Sequence, residues 1–87
     1  MVHNNPSDNQ LTSLGVFSWP IWEKEVSQFS WTYDSEETCF LLEGEVTVTP
    51  DSGESVTFGV GDMVVFPAGL SCIWNVKKAV KKHYNFA

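Results

Sequence analysis

From Phe29 onward the chain is a succession of short extended segments cut by turn residues. Phe29, Trp31 and Tyr33 alternate with Ser30 and Thr32, a period of two that puts three aromatic rings on one face of a strand. Thr38–Leu42 is extended again, and Glu45–Thr49 sets Val46 and Val48 against Glu45, Thr47 and Thr49. Pro50-Asp-Ser-Gly-Glu54 has the chemistry of a hairpin turn, with Gly53 expected at positive φ. Ser55–Phe58 alternates beyond it, Gly59-Val-Gly-Asp62 turns, and Met63–Phe66 is apolar throughout, as in a strand covered on both faces. Pro67-Ala-Gly69 ends that strand, because proline has no N–H to give the ladder. Ser71–Val76 and Lys82–Phe86 complete a set of about eight strands, with no repeat or linker, which defines an all-β barrel or sandwich.

Residues 1–14 read as a loose N-terminal arm, polar around Pro6, in which Leu11-Thr-Ser-Leu-Gly15 forms at most one helical turn closed by Gly15. Residues 15–87 are then a single domain. A chain of 87 residues leaves a thin stability margin, and self-association into a homodimer is expected.

A formal net charge of -6 and the lack of any arginine argue against nucleic acid, which needs arrayed cations to displace counterions. Four of the five cationic side chains are Lys77, Lys78, Lys81 and Lys82, read as a solvated strand edge that resists aggregation. No run is long and apolar enough to span a membrane, and the first ten residues lack signal-peptide features. The expected location is cytoplasmic, where Cys39 and Cys72 stay free thiols.

Two spacings carry a resemblance. Gly61, Pro67 and Gly69 fall where G-x5-P-x-G-x2-H-x3-N requires them, with Cys72 at the histidine and Asn75 one position early. Glu37 and Gly44 fit the E-x6-G half of G-x5-H-x-H-x3/4-E-x6-G, with Trp31 and Tyr33 at the histidine positions. The sequence resembles the small single-domain cupins of the RmlC-like superfamily, related to the ethanolamine-utilisation and ureidoglycine-metabolism cupins. The resemblance implies a small β-barrel, the double-stranded β-helix or jelly roll. It also implies a metal held by three histidines and the glutamate, but none of those imidazoles is present, so no metal or other cofactor is expected.

Strand alternation puts Trp31 with Tyr33, Glu37 with Cys39 and Leu41, and Cys72 with Trp74 and Val76. The cupin resemblance implies that these faces line one lumen, in which Trp31, Tyr33, Glu37, Cys39, Cys72 and Trp74 would form an aromatic ligand-binding cup. An inward Glu37 needs a partner such as the Tyr33 hydroxyl, or stays protonated as an acid. The thiols are packed hydrophobes, part of a soft metal site, or reactive groups. His83 reads as an exposed strand residue, and Phe40, Leu42 and Ile73 face away from the lumen, towards a second layer or another subunit.

The leading expectation is a metal-free barrel that binds a small molecule. One alternative is an enzyme of isomerase, lyase or hydrolase type, using Glu37 as general acid or base with Tyr33 assisting, or a Cys/Glu metal site. The other is a dimeric interaction module with a filled barrel.

Overall fold

Two long strands organise the molecule, which is described over residues 2–87 by a computed structural model. In chain order the elements are β1 (Val2–His3), α1 (Asp8–Leu14), a 3-10 turn (Val16–Ser18), β2 (Ile21–Lys24), β3 (Ser27–Thr32), β4 (Glu37–Pro50), β5 (Val56–Gly59), β6 (Met63–Phe66) and β7 (Ser71–Phe86). Every pairing is antiparallel, and β4 and β7 run alongside one another from Glu37 opposite Phe86 to Pro50 opposite Cys72. The first part of β4 also pairs with β6 and its later part with β5, while β7 holds β3 at one end and β2 at the other. The architecture is therefore the expected all-β cupin barrel.

The strand count differs from the expectation of about eight. Thr38–Leu42 and Glu45–Thr49 belong to one strand, as do Ser71–Val76 and Lys82–Phe86. The β4–β7 register slips between Leu41 and Glu43, Glu43 and Glu45, and Glu45 and Val46, so irregularities bend the ribbon without breaking it. Gly44 sits at this bend with φ 101°. Gly53 is not at positive φ; Gly15, Gly44, Gly61 and Gly69 are.

The main core lies between the inner faces of the strands, where Leu41, Val46, Val48, Phe58, Val64, Phe66 and Val76 are buried together. A smaller cluster lies outside it: Leu11, Val16 and Phe40 are buried, with Trp19, Leu42 and Met63 packed against them. The segment read as a loose arm thus supplies the second layer over Phe40 and Leu42. Its order has a local cause. Ser7 Oγ accepts the Gln10 N–H at 3.2 Å and Gln10 Oε1 accepts the Ser7 N–H at 2.9 Å, a capping box that starts α1. Gly15 closes the helix, and Val2–His3 pairs with Met63 and Val64. Ile73 stays exposed. Among the described residues no helix is long and apolar enough to cross a membrane.

Candidate functional site

A cavity of about 470 Å3 opens between β2, β3 and β7. Tyr33, Glu37, Trp74 and Lys82 are buried at its base, whereas Lys24, Ser30, Trp31 and Phe86 are exposed and form its mouth. Trp22, Phe29 and Tyr84 lie between. The rings brace one another: Phe29 stacks on Trp74 at 6.0 Å and Trp22 meets it edge-on at 6.1 Å. Below them Tyr33 stacks on Phe66 at 4.9 Å.

The base holds a buried ion pair. Lys82 Nζ donates to Glu37 Oε1 at 3.3 Å and to Oε2 at 3.1 Å, with both side chains about 5% exposed. The same ammonium lies 5.0 Å from the Trp22 ring and 4.7 Å from the Trp74 ring, so two aromatic faces take part of its charge. Register explains the convergence. Lys82 stands directly opposite both Trp22 and Leu41, and Glu37 opens β4, so the long lysine stem reaches along the ribbon to the carboxylate.

This arrangement corrects several expectations. Lys82 is not part of a solvated edge, although Lys77 and Lys78 are exposed. Glu37 is partnered by Lys82 and not by the Tyr33 hydroxyl, which instead accepts the Trp74 Nε1–H at 3.1 Å. His83 is buried on the outer face, where its Nδ1 lies 2.9 Å from the Trp19 carbonyl oxygen and its ring meets Phe17 edge-on. The chain entering β2 covers that position, which alternation alone leaves open.

Of the residues expected in the cup, Trp31, Tyr33, Glu37 and Trp74 line it and Cys39 and Cys72 do not. Both cysteines are free and buried in the packed core. The Cys72 thiol lies 3.6 Å from the Trp31 carbonyl oxygen, and Cys39 stands opposite Val64 and Tyr84. Burial pushes the Cys39 thiol up to about 12 and raises Cys72 as well, so neither has the thiolate character of a nucleophile. Both should resist Ellman's reagent in the folded protein and react together on denaturation; rapid labelling of either before unfolding would contradict the packing. Raising the pH acts on the same thiol. The folded state holds the Cys39 proton above its ordinary 9.0, so stability falls as pH rises from that value towards 12.

The donor set does not fit a metal of the cupin kind. Trp31 and Tyr33 stand at imidazole positions, Cys72 is packed away, and both Glu37 oxygens face Lys82 Nζ. Among the described residues no three His, Cys, Asp or Glu side chains come together. Burial and the Glu37 carboxylate hold the Tyr33 phenol well above its ordinary range, so its proton stays on.

Lys82, Lys24, Trp22, Phe29, Tyr84 and Phe86 also line the cup, although sequence reasoning did not assign them to it. A signal for Lys82 exists. Continuing the even-numbered face of Cys72, Trp74 and Val76 passes Lys78, which the β4–β7 register slip leaves exposed, and reaches Val80, Lys82 and Tyr84.

An antiparallel barrel with a cup between its strands and the Glu37 and Gly61-Pro67-Gly69 frameworks in place is a small cupin. Residues 11–84 match the EutQ-like cupin domain, and the chain belongs to that family. It is similar to a DUF861 family protein from Thermotoga maritima, at 48% identity over 100% of this chain and 98% of that one, with a TM-score of 0.97. It is also similar to a putative ethanolamine utilization protein Q from Salmonella typhimurium, at 28% identity over 74% of this chain and 51% of that one, with a TM-score of 0.67. The Clostridium difficile EutQ protein shares the fold at 22% identity, over 74% of this chain and 50% of that one, with a TM-score of 0.67. No curated protein matches the chain.

Proposed function

We propose that this cupin binds a small planar organic molecule in the aromatic cup, without a metal ion. The observation that carries the reading is a cavity of about 470 Å3 with aromatic walls and an ion pair at its base. Small-molecule sites have this character: concave, mostly apolar, with a few polar groups that fix orientation. A barrel filled by its own side chains would have no such space. A general acid or base role for Glu37 gains no support, because both its oxygens are engaged by Lys82.

Titrating planar aromatic fragments into isotope-labelled protein tests the proposal. The indole N–H signals of Trp22, Trp31 and Trp74 should shift together. Replacing exposed Trp31 by alanine should weaken binding by roughly tenfold, the worth of one lost stacking partner, while costing the fold no more than about 0.5 kcal/mol. Fragments that leave all three indoles unmoved at millimolar concentration, or that bind elsewhere, would overturn the reading.

A further inference from the structure

We infer that the ligand of this cup is a small organic anion, a planar body carrying one carboxylate-like group that docks on Lys82 and Tyr33. The inference rests on the binding function proposed above and names its ligand class.

Charge is the first argument. The chain has eleven acidic and five cationic side chains, yet the cup is lined by Lys24 and Lys82 against Glu37 alone. Two ammonium groups and one carboxylate leave a lining of +1 in a molecule of net charge -6. A local field opposite in sign to the whole draws anions to this site and away from the rest of the surface.

The donors at the base point the same way. Tyr33 Oη accepts from Trp74 Nε1, and its own proton meets no acceptor among the described residues. Lys82 has three N–H groups, and the two oxygens of Glu37 are its hydrogen-bond acceptors. Among the described residues Glu37 is the sole carboxylate in the lining, and it is engaged with that lysine. The base therefore has donor capacity to spare and its one carboxylate in use, which suits an oxyanion and disfavours an ammonium ligand.

Glu37 stands where the resemblance places a metal ligand, and here it holds an ammonium. Carboxylate and aromatic faces fix the Lys82 head group between them; the pair is neutral as a whole, but its ammonium is held in place as a hydrogen-bond donor at the base of the cup. Lys24, over the Phe29 ring at 5.6 Å, adds a second positive charge at the mouth.

Benzoate, benzamide and benzylamine share one ring and differ in charge, so their titration against the parent protein separates the outcomes. Benzoate should bind about tenfold more tightly than benzamide, as expected for a charge-assisted hydrogen bond, with benzylamine weakest. The preference for benzoate over benzamide should shrink several-fold in Tyr33→Phe, in Lys24→Gln and in the double variant Glu37→Gln with Lys82→Met, each of which removes one of the three groups that favour the anion. Benzamide binding as tightly as benzoate, or benzylamine binding best, would overturn the anion inference and leave the cup intact. Failure of all three to move the indole signals would overturn the cup reading and the inference with it. If the double variant does not fold, the two single variants carry the test, and an unchanged preference in both sinks the inference.

Discussion

Lys82→Met will destabilise the fold by about 3 to 5 kcal/mol, the cost of leaving one member of a buried ion pair without its partner. The methionine matches the lysine stem closely, so packing against Trp22 and Trp74 is largely kept and the loss falls on the Glu37 carboxylate, 5% exposed and without its cation. Changing Glu37→Gln in the same chain should restore most of that stability, since replacing both members of such a pair is far less costly than removing one. Denaturant unfolding of the two variants against the parent measures both effects. A single variant within about 0.5 kcal/mol of the parent, the usual range for a surface substitution, would place Lys82 in solvent and dissolve the base of the cup.

Gly44→Ala should cost about 3 kcal/mol or more, combining left-handed backbone strain with overpacking. A Cβ there would lie 2.5 Å from the Ala79 carbonyl oxygen, 2.7 Å from Val80 Cα and 2.8 Å from the Lys78 carbonyl oxygen. All three are backbone atoms of β7 and cannot rotate aside. Gly69→Ala is the control, because Gly69 has φ 84° with nothing within 4 Å of an added Cβ; it should cost only the strain, about 1 to 3 kcal/mol. Thermal unfolding of the pair decides the matter. Equal losses would mean that β4 and β7 do not approach closely at the bend.

The barrel was legible because its signals are local. Met63–Phe66, the turn at Gly59–Asp62 and the Gly61, Pro67 and Gly69 spacing each lie within a few residues, and each falls where it was read. Alternation grouped Trp31 with Tyr33, and set Glu37 and Trp74 on defined strand faces, while the cupin resemblance implied that these faces point into the barrel. What alternation could not supply is what happens across a bend. The polar run Lys77–Lys82 reads as an edge when β7 is divided in two, and as a strand with one inward lysine once it is continuous. Similarly, the burial of His83 depends on chain that arrives from Trp19, 64 residues earlier. The helical turn closed by Gly15 was read, but the start of α1 was missed because Ser7 and Gln10 are only two polar residues in a polar stretch until their reciprocal bonds are seen.

The two members of the ion pair lie 45 residues apart in the sequence, which bears on the order in which the molecule is assembled. The β4–β5 hairpin, Val46 opposite Phe58, closes over a short loop, whereas the β4–β7 ribbon must bring together segments far apart in the chain, Glu37 with Phe86 at its outer end. Such non-local β pairings set folding times of milliseconds to seconds. An early hairpin would hold Glu37 hydrated and without cost. Glu37 is flanked by β6 and β7, and β7 is the strand that carries Lys82. Cover from β7 and neutralisation thus arrive in one event, and the docking of that strand leaves no dry, solitary charge.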